Sequence, residues 1–181
     1  MGVRPRIHWP AVLTILRVVL VAPVVALTLK RTDASDWVAF VAFGVAALTD
    51  GLDGWAARRM DLVSSMGQLW DPIADKLLVL AAMVALVVVG RFPAWAAVII
   101  VVREVAVSAL RFVASRRGRG FPASIAGKAK TGAQLMSVLL FILPYSGLDP
   151  VRWTFLWVAV VLTIVSAVDY FRRAPGILGT R

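Results

Sequence analysis

The sequence contains no cysteine among its 181 residues and only one histidine, His8. The lack of cysteine excludes disulfide frameworks, thiolate zinc sites and thiol nucleophiles. Because no second histidine is available, histidine-based metal sites and catalytic triads are excluded as well, and we interpret His8 as an interfacial residue beside Trp9. Any polar chemistry must therefore come from other side chains.

Charged residues are also scarce, at 17% of the chain, whereas apolar residues make up 60%. Ordinary soluble domains are only about half apolar. The composition therefore predicts an all-α integral membrane protein. We expect residues 1–181 to form a single membrane-embedded domain, because six spans of about 20 residues each leave little chain for a separate soluble domain.

Six apolar stretches are predicted to be transmembrane helices, with breaks at Arg91–Pro93, Gly118–Pro122 and Pro144–Pro150. The first stretch follows Arg4 and Arg6, but it is too long for a secretory signal, so we expect it to remain as a span. The predicted helices are Pro10–Leu29, Asp36–Trp55, Gly67–Gly90, Pro93–Ser115, Gly132–Ser146 and Trp153–Tyr170.

The formal net charge of +10 has two readings, a nucleic-acid-binding surface or a membrane topology. Topology explains it better, because Lys and Arg concentrate in the cytoplasmic loops of membrane proteins. With six spans, only four basic loop or terminal residues fall on the side opposite the termini: Lys30, Arg31, Arg91 and Arg152. We therefore expect a multi-pass protein of the cell (inner) membrane with both termini in the cytoplasm, and no nucleic-acid partner.

Four of the ten acidic residues form two closely spaced pairs in one short region: Asp50 with Asp53, and Asp71 with Asp75. Spacings of three and four residues place each pair on one face of its helix. Such carboxylates are costly in a membrane and need compensation. Oxygen ligands without histidine or cysteine favour hard cations, so the region predicts two divalent ions, Mg²⁺ or Mn²⁺.

A two-metal site of this kind suits in-line phosphoryl displacement. Small residues at Gly54, Ala57 and Gly67 leave space for a ligand, and Arg58 could neutralise a pyrophosphate. Two other interpretations stay open. The acids could form ion pairs that staple the helix ends, or they could form a cation transport site in a metal-ion carrier, although transporter sites usually lie nearer the bilayer midplane.

These residues resemble the signature of the CDP-alcohol phosphotransferases, complete at every position: Asp50, Asp53, Gly54, Ala57, Arg58, Gly67, Asp71 and Asp75. The resemblance implies the six-helix fold of that family, usually a homodimer, with a site open to the cytoplasm. It implies that Asp50, Asp53 and Asp71 are metal ligands, and that Asp75 joins them and is the general base. The CDP-activated lipid is then expected beside Asp50, Gly54, Ala57, Arg58 and Gly67.

Other segments resemble the phosphatidylglycerophosphate synthases within that family: Arg103–Glu104, Ser108–Arg111, Gly127–Thr131 and Asp169–Phe171. This resemblance implies CDP-diacylglycerol and glycerol 3-phosphate as substrates. One departure is Ala11, which stands where the family has asparagine in its Pro-Asn-x-Leu-Thr element.

An acceptor with a phosphate group carries about two negative charges and needs cations of its own. Four basic residues near the predicted cytoplasmic half are candidates to bind that phosphate: Arg103, Arg111, Lys128 and Lys130. Lipid-headgroup contacts are the competing interpretation for Arg111 and Lys130, and local pairing with neighbouring residues is the competing interpretation for Arg103. Within the same family, a cardiolipin synthase using phosphatidylglycerol or a phosphatidylinositol phosphate synthase remain alternatives.

Overall fold

The computed structural model describes the backbone of residues 9–60, 65–116 and 125–178, and the side chains of residues 15–49, 76–116, 127 and 129–175. Within these ranges every regular element is helical, which confirms the predicted all-α class. The helices are α1 (Trp9–Leu29), α2 (Asp33–Met60), α3 (Ser65–Val88), α4 (Ala94–Arg116), α5 (Ile125–Ile142) and α6 (Asp149–Leu178). A single 3₁₀ turn over Ser146–Leu148 precedes α6.

Each predicted apolar stretch corresponds to one of these helices, but several predicted ends are wrong. The fifth helix begins at Ile125 instead of Gly132, and the sixth begins at Asp149 instead of Trp153. The apolar run marks only the part of a helix that avoids water, whereas backbone hydrogen bonding continues through polar residues. Pro150 lies in the first turn of α6, where its missing N–H costs nothing. The predicted break at 118–122 lies outside the described residues.

The start of α2 shows how local hydrogen bonds move a helix end. We predicted Asp36 as the first residue, but the helix begins at Asp33. The Thr32 hydroxyl accepts the backbone N–H of Ser35 at 3.3 Å, and the Ser35 hydroxyl accepts the N–H of Thr32 at 3.3 Å. This reciprocal cap satisfies two backbone donors that the first turn leaves without partners. Asp33 and Asp36 add negative charge at the positive end of the helix dipole.

The chain divides into two compact units, so the expected single domain stays a prediction. The first unit comprises residues 1–89 and 142–144. In it, α1 packs against both α2 and α3, around buried side chains that include Val24, Phe43 and Leu86. The Arg31 guanidinium donates to the carbonyl of Val88 at 3.3 Å, and so ties the connection after α1 to the last residue of α3.

The second unit comprises residues 90–141 and 145–181, and in it α4 packs against α6. Aromatic side chains join the start of α4 to the end of α5 and the start of α6. The rings of Phe92 and Phe141 lie 5.0 Å apart, and those of Trp95 and Trp157 lie 5.2 Å apart. The beginnings of α4 and α6 and the end of α5 therefore lie at one end of this unit.

By length and composition, one described helical stretch, Ser146–Pro175, could cross a membrane. Shorter apolar helical stretches occupy Ile15–Leu29, Lys76–Val88 and Ala129–Ile142. Helix α4 is long, but its stretch contains Arg103, Glu104 and Arg111. The count of six helices is therefore confirmed for the described residues, whereas their assignment as six transmembrane spans stays a prediction.

Arg152 fastens the connection between α5 and α6. Its Nε donates to the carbonyl of Leu140 at 2.9 Å, and its Nη2 donates to the carbonyl of Tyr145 at 2.8 Å. Its Nη1 also pairs with Asp149 at 2.9 Å. The carbonyls in the last turn of a helix have no partner within that helix, so Arg152 satisfies at Leu140 an acceptor that α5 itself cannot.

We expect Arg152→Met to lower the free energy of unfolding by about 1–3 kcal/mol, because methionine keeps the apolar stem and removes the donors. Thermal unfolding of the detergent-solubilised protein would measure this. Arg173→Met is the matched control, because it breaks the more exposed Arg173–Asp169 pair and should change little. Equal losses in the two variants would contradict the assigned role of Arg152.

Candidate active site

The four aspartates of the sequence motif lie on two helices of the first unit. Asp50 and Asp53 belong to α2, and Asp71 and Asp75 belong to α3. Their side chains lie outside the described residues, so their role as ligands stays a prediction. The backbone is nevertheless helical at all four positions, and this is the condition under which spacings of three and four place residues on one helix face.

The donor set fits a hard divalent cation, because it consists of carboxylate oxygens alone. Among the described side chains, no group of three His, Cys, Asp or Glu residues is close enough to share a metal ion. The remaining residues predicted to meet the CDP-lipid lie on the same two helices. Gly54, Ala57 and Arg58 are on α2 and Gly67 is on α3, and their side chains also fall outside the described part of the chain.

In the second unit the structure brings two of the predicted acceptor-binding residues together. Arg103 of α4 and Lys130 of α5 both pair with Glu104, and all three residues are at most 9% exposed. Nη1 of Arg103 lies 2.9 Å from Oε1 of Glu104, and Nζ of Lys130 donates to the same oxygen. Buried charges cost several kcal/mol each unless they are paired, so this contact allows two cations to stay inside the unit.

Arg103 is also held by α6. Its Nη2 donates to the Ser166 hydroxyl at 2.9 Å, and its guanidinium lies 5.6 Å from the centre of the Tyr170 ring. The Nε of Arg103 is buried and has no hydrogen-bond partner among the described residues. A buried N–H without an acceptor is costly in a folded protein, so this donor needs a water molecule or a polar ligand as its acceptor.

A second buried polar contact joins α5 to α6, one helical turn beyond Lys130 on α5. The side-chain amide of Gln134 donates to the Thr163 hydroxyl at 3.1 Å, and Thr163 donates to the carbonyl of Ala159. We did not single out Gln134, Thr163 or Ser166 from the sequence. Their signal was present in the sequence, because Lys130 and Gln134 are four residues apart, and Thr163 and Ser166 are three apart, within helices that are otherwise apolar.

The other two predicted acceptor-binding residues are placed differently. The Arg111 side chain is exposed on α4. Lys128 lies on α5, but its side chain is outside the described residues. The structure therefore groups Arg103 with Lys130 and leaves the parts played by Arg111 and Lys128 as predictions.

The family model of the CDP-alcohol phosphatidyltransferases matches residues 7–165 of this sequence. The chain belongs to the CDP-alcohol phosphatidyltransferase family. The matched segment contains all four motif aspartates together with Arg103, Glu104 and Lys130, whereas Ser166 and Tyr170 follow its end. Two of the contacts that hold Arg103 thus come from a part of this CDP-alcohol phosphatidyltransferase that the family model does not cover.

Several relatives of this family member bear the name CDP-diacylglycerol–glycerol-3-phosphate 3-phosphatidyltransferase. The protein of that name from Bacillus subtilis is 39% identical over 171 residues, which cover 90% of this chain and 89% of the relative. The one from Haemophilus influenzae is 33% identical, over 93% of this chain and 94% of the relative. The one from Rickettsia typhi is 33% identical, over 90% and 94%.

Proposed function

We propose that this enzyme transfers a phosphatidyl group from CDP-diacylglycerol to the primary hydroxyl of sn-glycerol 3-phosphate. The products are phosphatidylglycerophosphate and CMP, and the reaction is a step of phospholipid biosynthesis. The observation that carries the choice of acceptor is the buried pair of cations, Arg103 and Lys130, in a member of the CDP-alcohol phosphatidyltransferase family. The names of the relatives from Bacillus subtilis and Haemophilus influenzae support the same choice.

The charge of the acceptor accounts for two buried cations. Glycerol 3-phosphate brings a phosphate group with about two negative charges, and Arg and Lys donate charge-assisted hydrogen bonds to such a group. Arg103 has an N–H that no described residue accepts, and a phosphate oxygen is a suitable acceptor for it. In a cardiolipin synthase the acceptor is the hydroxyl group of a lipid. Because that acceptor has no free phosphate group, it does not require additional cations to bind one. Arg111 and Lys128 complete the proposed phosphate-binding set.

The proposed cofactor is a pair of divalent ions, Mg²⁺ or Mn²⁺, held by Asp50, Asp53, Asp71 and Asp75. When bound, these ions neutralise negative charge on the phosphoryl oxygens and stabilise the developing charge of the transition state. The support is the oxygen-only donor set on two helical segments of the same unit. A metal-ion carrier would use the same donors, but it accounts neither for the family membership nor for the buried cations.

The remaining steps belong to the protein side chains. Asp75 takes the proton from the acceptor hydroxyl, and the hydroxyl oxygen forms a bond to the lipid-side phosphorus. The bond from that phosphorus to the bridging oxygen breaks, and CMP leaves with the electron pair. Arg58 binds the pyrophosphate, while Gly54, Ala57 and Gly67 leave room for the nucleotide. Positioning and charge stabilisation are the main sources of catalysis in such transfers.

We further propose that the protein is a multi-pass membrane protein with cytoplasmic termini and that it functions as a homodimer. The second unit supports embedding in lipid, since several of its polar side chains, among them Arg103, Lys130 and Thr163, are buried, while large apolar ones such as Val98, Val102 and Ile164 are exposed. Exposed Trp95 and Trp157 lie together at the beginnings of α4 and α6. Tryptophan is enriched at membrane interfaces, and this end is the predicted extracytoplasmic one.

Replacing Asp71 or Asp75 with Asn should reduce the rate of CMP release by several orders of magnitude, because each change removes a metal ligand or the base. The assay uses purified protein with CDP-diacylglycerol and glycerol 3-phosphate. Size-exclusion chromatography checks that each variant is folded. Asp33→Asn, in the first turn of α2, is the control and should retain activity. Near-native turnover in either motif variant would reject the assignment.

Topology can be tested with single cysteines, because the natural chain has none to remove. Cysteines at Arg59 and Arg117 should react with an impermeant maleimide only from the cytoplasmic side, and a cysteine at Arg91 only from the opposite side. Labelling of right-side-out and inverted vesicles measures this. The reverse pattern would overturn the proposed topology.

Lys130→Met and Arg111→Ala should each raise the KM for glycerol 3-phosphate about tenfold to a hundredfold, since each removes one charge-assisted contact with the phosphate. The KM for CDP-diacylglycerol should change far less. Steady-state kinetics with each substrate varied in turn provides both values. An effect mainly on the nucleotide lipid would place these cations around the pyrophosphate. Consumption of phosphatidylglycerol in place of glycerol 3-phosphate would reject the proposed acceptor.

A further inference from the structure

Two cations from different helices meet at one oxygen atom in the second unit. Arg103 Nη1 and Lys130 Nζ both donate to Oε1 of Glu104, which is 6% exposed. We propose that Glu104 is a positioning residue for the acceptor, acting on its phosphate through Lys130 and Arg103. This inference rests on the proposed function, in which these two cations bind the phosphate of glycerol 3-phosphate.

The chemistry of the two cations allows them to hold Glu104 and a phosphate at the same time. A lysine ammonium has three N–H donors and an arginine guanidinium has five. A contact with one carboxylate oxygen uses one donor of each group. Because the lysine stem is long and flexible, a fixed carboxylate partner also reduces the conformational freedom that Lys130 would otherwise lose when the acceptor binds.

The other contacts of Arg103 determine how the effect of losing the Glu104 charge on acceptor binding is shared between Arg103 and Lys130. Without the carboxylate, Arg103 still has the Ser166 hydroxyl at 2.9 Å and the Tyr170 ring at 5.6 Å. Both contacts come from α6, so they do not depend on Glu104. Loss of the Glu104 charge should therefore act on the acceptor chiefly through Lys130.

If its role were purely structural, Glu104 would only link α4 to α5 through its contact with Lys130. The same unit offers a matched comparison in the hydrogen bond between Gln134 and Thr163, which ties α5 to α6. Thr163→Val removes this second tie at nearly constant volume and changes no contact of Arg103 or Lys130 in the described structure. A structural role predicts similar kinetic effects for the two changes, whereas positioning predicts that only Glu104 alters acceptor binding.

The test is a double-mutant cycle on the purified full-length protein, with CMP release measured while each substrate is varied. Glu104→Gln should raise the KM for glycerol 3-phosphate about tenfold and leave that for CDP-diacylglycerol within about twofold. Because Glu104 acts through Lys130, Glu104→Gln combined with Lys130→Met should be no worse than Lys130→Met alone, to within about threefold. Thr163→Val should leave the ratio of the two KM values unchanged.

A wild-type KM for glycerol 3-phosphate in Glu104→Gln, or fully additive losses in the double variant, would overturn the proposal. If Glu104→Gln does not fold, Glu104→Asp replaces it, because it keeps the charge but withdraws the carboxylate by one methylene. It should raise the acceptor KM about threefold or more, and an unchanged KM would again overturn the proposal. If Lys130→Met itself leaves the acceptor KM unchanged, the assignment of the acceptor site fails, and the positioning role fails with it. If only the Glu104 variants have no effect, the proposed function stands and the positioning role alone is rejected.

Discussion

Glu104 brings two cations from neighbouring helices onto one carboxylate oxygen, inside a unit whose outer faces are largely apolar. An isolated charge at such a place is too costly to persist, and a single ion pair would carry no net positive charge. With one carboxylate between them, Arg103 and Lys130 can both remain charged and close together. The polar side chains that follow along α5 and α6 extend this interior, since Ser166 links Arg103 to the helix that also carries Thr163.

The proposed function assigns different tasks to residues of the two units. The signature aspartates lie on α2 and α3 in the first unit, and the cationic cluster is built by α4, α5 and α6 in the second. Family membership follows from a match that includes both regions. Under the proposed function, the second region binds the acceptor phosphate, and substitutions among its buried polar residues are expected to alter acceptor recognition.

The sequence was sufficient to predict the all-α class and the number of helices in the described residues, because both depend on local pattern, and charge in an apolar run placed Arg103 and Lys130 in one set of four candidate cations. It did not predict the cap of Thr32 and Ser35 that starts α2, since the apolar stretch begins later. It also did not show that Lys130 and Arg103 contact the same oxygen atom of Glu104. That contact joins residues far apart in the chain, and only the packing of α4 and α5 determines it.

The length of α2 has a consequence for where a lipid and a water-soluble molecule could meet. Its 28 residues form a rod of about 42 Å at a rise of about 1.5 Å per residue. The hydrocarbon layer of a bilayer is about 30 Å thick. A helix that enters this layer near Asp33 reaches Asp50 after about 26 Å, at the level where acyl chains give way to headgroups and water. In the proposed topology, the motif at that depth would be within reach of a phosphate attached to buried acyl chains and of a sugar phosphate in the aqueous phase.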